Sequence, residues 1–282
     1  MSLKLNPLIN EFNKIKLINK KKLIKFDQKT RNYHSIVFRC PKSNIIINSK
    51  SIYNLNNYFK ESYWINNNNI AGTKIKKPKS IIDENYKRVK DFKKEIINKS
   101  ILDFGSGDCS FLLKAKKYTK YLHSIDYANL NKSKYIEFNS NLENVDKRFD
   151  TIFLFHTFHY LEDPIETLFK LRKLLNKNGK IVIEVPNSDN PLYSIPEYRE
   201  FSFSIESLVL YNYYSISFIL RKYKINHDIF FYQRYDLNNF MFWLQKNKPG
   251  GHNKKIYSNA SNQTFLKRND RLTDSLRVII YK

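Results

Sequence analysis

The stretch Ile101-Leu102-Asp103-Phe104-Gly105-Ser106-Gly107-Asp108 constrains this chain more than any other. Ile101 and Leu102 are strand formers, and Asp103 falls at the carboxyl end of their run. Gly105 and Gly107 then open a loop that leads into the apolar Phe111-Leu112-Leu113. The chain holds only six glycines, and two stand here one residue apart. Glycine is needed where the backbone takes a positive φ or passes close to a ligand. A strand, a glycine loop and a helix N-terminus together make a cofactor-sized cradle at the carboxyl edge of a parallel sheet.

The flanking pattern supplies such a sheet. Ser80 and Asp83 form a capping box ahead of Ile81, Ile82, Tyr86 and Val89, which predicts a helix to about Asn98. Strands are expected at residues 101–104, 121–125, 135–138, 150–155, 181–185 and 276–281, and a helix at 109–118. Residues 150–155 are almost unbroken in apolarity, as in a strand buried on both faces. Asp163-Pro164 caps and starts a helix through Leu175, and Gly179 turns the chain back. Strands alternating with helices imply an α/β fold: a Rossmann-like, doubly wound, mostly parallel sheet.

Two regions lie outside this alternation. Residues 1–78 read as an N-terminal extension with a substrate or interaction role. A helical period covers 8–26, and Ser35–Arg39 with Asn44–Ile47 reads as a hairpin around Cys40-Pro41. An aromatic stretch (53–64), an asparagine loop (66–69) and a basic linker (72–78) follow. Residues 79–282 form the main domain, with 188–272 as a variable, substrate-facing region that carries a helical insertion near the C-terminus. Within it, helical patterns are expected at 205–211, 216–223 and 237–244, and a strand at 225–232.

Two cysteines, Cys40 and Cys109, are too few for a four-cysteine zinc site or a disulfide framework. A reducing, cytoplasmic compartment fits, and the N-terminus lacks a signal-peptide pattern. The net charge of +24 admits a nucleic-acid reading. The lysines are scattered, however, with Lys20-Lys21-Lys22 the densest run, as on a generally basic, solvated surface that attracts anionic substrates. Residues 201–220 come nearest to a membrane span, but Glu206, Asn212 and several serines favour a buried or amphipathic helix pair.

The glycine loop suits two cofactors. A dinucleotide site wants a third glycine, which Ser110 replaces here, and an acid about 20 residues on. The alternative is S-adenosylmethionine (SAM). Leu102-Asp103-Phe104-Gly105-Ser106-Gly107, Ile125-Asp126, Phe149-Asp150, Tyr160-Leu161-Glu162-Asp163-Pro164 and Ile183-Glu184-Val185-Pro186-Asn187 occur in order over residues 99–187. In these elements the chain resembles the class I SAM-dependent methyltransferases. The resemblance implies that Asp103 lies near the methionine end of the cofactor and that Gly105 and Gly107 bring backbone N–H groups to it. It implies that Asp126 accepts the ribose hydroxyls, and that Asn141 and Leu142 stand where the family contacts adenine, with Asn in place of the commoner Asp.

His156, His159 and Tyr160 follow the fourth strand at the expected rim of the active site. Histidine titrates near neutrality, so His156 and His159 are the candidate bases for deprotonating an acceptor. Tyr160 stands where relatives often carry a histidine. No metal is expected, since His156 and His159 lack a ligand pattern. The resemblance implies methyl transfer to a small-molecule acceptor, a sugar or nucleotide-linked sugar. Gln233-Arg234-Tyr235, Trp243 and Lys248-Pro249-Gly250-Gly251-His252 look like elements of methyltransferases found with surface-polysaccharide biosynthesis. Arg234, Lys248 and His252 are then candidates to hold phosphate or sugar hydroxyls, and Tyr235 or Trp243 to stack on a ring; core packing and surface charge are the other reading. An RNA methyltransferase using the basic surface, or a non-catalytic SAM-binding module, are the alternatives. The Asn/Asp-Pro-Pro-aromatic tetrapeptide of nucleic-acid amino-methyltransferases is absent after the fourth strand.

Overall fold

The structure is a computed structural model. It describes residues 2–31, 33–54, 57–59, 79–128, 130, 133–251 and 256–282, with backbone only for 79–83. The expected asparagine loop at 66–69 and linker at 72–78 lie outside the described residues, as do His252 and the side chains of the Ser80–Asp83 capping box.

Strand β1 (Leu3–Leu5) leads into helix α1 (Leu8–Lys14). The helix is shorter than its sequence period. Lys16 takes a left-handed φ of +66°, and Leu17 N–H donates back to the Phe12 carbonyl at 2.9 Å, which closes the helix end. Residues beyond it become strand β2 (Ile24–Asp27), paired with β3 (Val37–Arg39). β3 and β4 (Ile46–Asn48) form the expected hairpin, with Phe38 opposite Ile47. β5 (Lys50–Ile52) returns to pair with β1.

The α/β alternation then begins. Helices α2 (Lys79–Asp91) and α3 (Lys93–Ile96) precede β6 (Ser100–Phe104). Helix α4 (Ser110–Ala115) leads to β7 (Tyr121–Ile125), β8 (Glu137–Asn139) and β9 (Phe149–Phe155). Helix α5 (Pro164–Lys173) and the long β10 (Leu175–Pro186) follow. The variable region holds α6 (Pro196–Ser202), β11 (Val209–Leu210), α7 (Tyr213–Lys222), β12 (His227–Tyr232), α8 (Leu237–Lys246) and α9 (Asn259–Leu266). β13 (Ser275–Tyr281) closes the chain.

A seven-stranded sheet runs in the order β12-β13-β10-β9-β6-β7-β8. β6 pairs in parallel with both β7 and β9, and β7 with β8. This is the mostly parallel, Rossmann-like sheet that the alternation implies. The strand order reverses direction on either side of β6, so the loop after β6 leaves the sheet at the switch point where α/β proteins bind ligands. A second, antiparallel sheet has the order β11-β4-β3-β2.

The chain divides into two compact units. Unit one comprises residues 1–53, 158–164 and 184–278; unit two comprises 54–157, 165–183 and 279–282. Unit two is built on Phe153, which packs on Phe111 (centroids 5.0 Å apart) and Phe92 (5.8 Å), with Ile96, Ile101 and Leu112 fully buried around them. Unit one has its own aromatic core, in which Trp243 meets Tyr198 edge-on at 5.0 Å. Burying a large aromatic of this kind contributes about 2–3 kcal/mol.

The expected helix at 205–211 does not form: residues 205–206 make a turn, and Val209–Leu210 is strand β11. Ile205, Leu208, Val209, Leu210 and Tyr211 are all buried, and Val209 pairs with Ile47. The apolar run Leu208-Val209-Leu210-Tyr211 carries no period to tell helix from strand, and pairing with β4 decides it at Val209–Leu210. The second half of the expected helix pair does form as α7, capped reciprocally by Asn212 and Ser215. Among the described residues no helix is long and apolar enough to cross a membrane.

Candidate functional site

The turn after β6 has the backbone that its glycines predict. Gly105 and Gly107 have φ of +78° and +55°. Gly105 and Ser106 N–H both donate to the Ile125 carbonyl, at 2.8 and 3.2 Å, which ties the turn to the end of β7. Gly107 N–H donates to Asp126 Oδ2 at 2.8 Å, and Ala128 N–H donates to Asp126 Oδ1 at 3.3 Å. A Cβ built on Gly105 would lie 2.2 Å from Thr157 Oγ1. Gly105 is therefore held both by its dihedral and by the chain leaving β9.

Asp103 is the unusual group of this site. Its side chain is buried at 3% exposure, and Oδ1 has no hydrogen-bond partner. Burial pushes its carboxyl up to about 7; the Arg88 guanidinium opposes this, and Asp126 adds to it. Burial also raises the Asp126 carboxyl, against the backbone N–H groups of Gly107, Ala128 and Tyr127. A buried carboxylate with an open oxygen is a seat for a cationic donor. Asp126 accepts backbone N–H groups on both oxygens, and a carboxylate has lone pairs to spare for further donors.

Arg88, Asn85 and Thr157 belong to this surround and were not singled out in the sequence. Arg88, on α2, stacks its guanidinium over the Phe155 ring at 4.5 Å and donates to Asn85 Oδ1 at 3.0 Å. Asn85 in turn donates to Ser110 Oγ at 2.9 Å, which fastens α2 to the start of α4. The signal lay in the inward face of α2. Asn85, Arg88, Val89 and Phe92 recur at spacings of three and four, and all are buried. Tyr86, expected with the apolar face, is 61% exposed, with Lys114 Nζ 4.5 Å from its ring centroid.

Asn141 and Leu142 lie just past β8, whose end meets β7 where Asp126 N–H donates to the Asn139 carbonyl at 3.4 Å. Asn141 is exposed, and its Oδ1 accepts from Asn144 N–H at 3.2 Å, so its acceptor is used within its own turn. His156 directly follows β9 and is half-buried, with a left-handed φ of +54°. A non-glycine residue in that region is held by its surroundings. His156 belongs with the glycine turn to unit two. His159 and Tyr160 belong to unit one, on a 3₁₀ turn over Phe158–Tyr160 with their rings 4.0 Å apart. His159 is buried, and its carbonyl accepts from Leu208 N–H at 3.0 Å.

In the variable region, Asp274 organises the Gln233-Arg234-Tyr235 segment. It accepts Gln233 Nε2 and the N–H groups of Arg234 and Tyr235, at 2.8, 2.9 and 2.9 Å. The Arg234 guanidinium lies over the Tyr235 ring at 4.8 Å. Trp243 does not face a ligand. At 2% exposure it is part of the unit-one core, which corrects the expectation that it stacks on a ring. Lys248 is exposed.

The model of a family described as methyltransferase domain matches residues 73–257. No curated protein matches the chain in sequence. Solved structures do share the fold. A SAM-dependent methyltransferase from Archaeoglobus fulgidus is 17% identical, with a TM-score of 0.50 over 79% of this chain and 100% of that one. A SAM-dependent methyltransferase of Thermotoga maritima, described as a possible histamine N-methyltransferase, is 10% identical, with a TM-score of 0.50 over 72% and 90%. A plantazolicin methyltransferase in complex with S-adenosylhomocysteine (SAH) is 18% identical, with a TM-score of 0.49 over 81% and 93%.

Proposed function

This chain belongs to the methyltransferase-domain family and is a SAM-dependent methyltransferase, and we propose that it methylates a small-molecule acceptor, a sugar or nucleotide-linked sugar. The observation that carries the cofactor assignment is the open, buried Oδ1 of Asp103 beside Gly105, which has no room for a Cβ. The ammonium of a methionine moiety fits that carboxylate in charge and hydrogen bonding. Asp126 receives the ribose hydroxyls on its remaining lone pairs. Gly105 and Gly107 keep the turn free of side chains, and Asn141 and Leu142 border the base.

SAM, when bound, supplies an electrophilic methyl group. The protein's part is alignment and proton removal. An imidazole nitrogen of His156 or His159 takes the acceptor's proton, and Tyr160 helps to orient the acceptor. The sugar-nucleotide reading is supported by the net charge of +24, which favours an anionic acceptor. It is also supported by the Arg234–Tyr235 pair, a cation and a ring held on a turn that Asp274 fixes. Incubation with methyl-labelled SAM and separate acceptors tests it, using nucleotide sugars, free sugars, peptides and bulk RNA. Label on a nucleotide sugar or sugar is expected. Label on RNA or peptide alone overturns the acceptor class, and SAH binding without transfer to any acceptor points to a binding module.

A further inference from the structure

Five lysines converge on one hollow in unit one. Lys16, Lys20, Lys21, Lys22 and Lys42 line a cavity of about 570 Å³, and no carboxylate is among its lining residues. All five are exposed, and none of them is ion-paired among the described residues. The acid that follows the lysine run, Asp27, is engaged elsewhere, pairing with Arg199 at 2.8 Å.

The arrangement is fixed in its backbone. Asn19 Oδ1 accepts from Lys21 N–H at 3.1 Å, and Asn13 Oδ1 accepts from Lys20 N–H at 3.0 Å. Lys16 occupies the left-handed position at the end of α1, where glycine is the cheapest residue. Lys42 comes from the turn between β3 and β4. Ile18 and Pro41 add apolar wall between the charges. Lys20 Nζ donates to Asn10 Oδ1 at 3.4 Å, but like charges held together without counter-charges raise a positive potential that a polyanion relieves. The volume falls within the range of about 300–1,000 Å³ typical of small-molecule sites.

We infer that this hollow binds a phosphate-bearing small molecule of nucleotide size, either a free nucleoside diphosphate or the diphosphate of a nucleotide-linked compound. The lysine ammonium groups clamp the phosphates, and Ile18 and Pro41 meet the nucleoside. The assignment does not rest on the acceptor proposed above, since any such diphosphate carries the recognised chemistry.

Isothermal titration of the full-length protein tests it, with ADP, pyrophosphate, UDP-glucose and dodecauridylate at one ionic strength. The combined Lys20→Ala, Lys21→Ala and Lys22→Ala variant removes charge from the hollow. A Lys114→Ala, Lys116→Ala and Lys117→Ala variant removes the same charge from unit two. ADP affinity is expected to fall about tenfold or more in the first and to change less than about twofold in the second. Pyrophosphate binding as tight as ADP assigns the recognition to phosphate alone. Tighter ADP or UDP-glucose adds the nucleoside, and preference for UDP-glucose identifies the linked source. Absence of diphosphate binding by the wild type overturns the inference, as does equal loss in both variants. Dodecauridylate binding tighter than ADP, and lost in the first variant, assigns the hollow to nucleic acid instead. Unfolding midpoints check the fold of each variant, and Lys21→Glu alone replaces the triple variant should that one unfold.

Discussion

A carboxyl group at 3% exposure with one oxygen unmatched makes the apo protein sensitive to pH. Asp103 titrates near 7 in the folded chain, above its ordinary 3.8. Between these values the native state holds a proton that the unfolded chain has released. The associated stability is full below pH 3.8 and is lost as pH rises through about 7, a change on the order of 4 kcal/mol. Asp103→Asn is expected to flatten this slope, which thermal unfolding of the apo protein from about pH 5 to 8 would register. Binding an ammonium favours the ionised carboxyl, so SAH affinity should rise with pH over the same window. Proton release near pH 6, read by calorimetry in buffers of different ionisation enthalpy, is expected for the wild type and not for Asp103→Asn. An affinity independent of pH would remove Asp103 from the ammonium site. The acid itself was legible in the sequence from its place at a strand end. Its burial and its relation to Arg88 were not, because they depend on how α2 packs.

At the scale of elements, the turn after β6 is tied through Gly105 to the end of β7 and to the chain leaving β9. An alanine there meets Thr157 Oγ1 at 2.2 Å and keeps a φ of +78°. Gly105→Ala is therefore expected to lower the unfolding midpoint and abolish SAH binding. Adding Thr157→Gly should restore stability only in part, since the left-handed dihedral still costs about 1–2 kcal/mol. A single variant as stable as the wild type would contradict this packing. The same scale shows what sequence pattern conveys. β9 was legible because a buried parallel strand carries a continuous apolar run, as in Ile152-Phe153-Leu154. The three-residue strands β1 and β5 and the two-residue β11 were not, since each exists through a partner distant in sequence. The period over 8–26 ended early because Lys16 turns left-handed and closes α1, and residues 24–27 then pair with β3.

Across the whole molecule, residues 1–53 fold in one unit with 158–164 and 184–278, and Lys4 and Glu162 form an ion pair there at 2.9 Å. Such long-range partners leave no mark on local composition. The turn after β6 with Asp103 and Asp126, by contrast, is built from consecutive elements of unit two, which is why it could be read from linear motifs. Packing between segments far apart in sequence is harder to read, and Trp243 shows the consequence: an aromatic that suits a ring platform on paper is core in space. The claim that joins these scales is that the turn after β6, with Asp103 and Asp126, holds the methyl donor. Titration of SAH into the full-length protein, its Asp126→Ala variant and its Asp126→Asn variant tests it most directly. One-to-one binding by the wild type is expected, weakened about tenfold or more in Asp126→Ala and less in Asp126→Asn, which keeps an acceptor for Gly107 N–H. Failure of the folded wild type to bind SAH, or unchanged affinity in Asp126→Ala, would contradict the account.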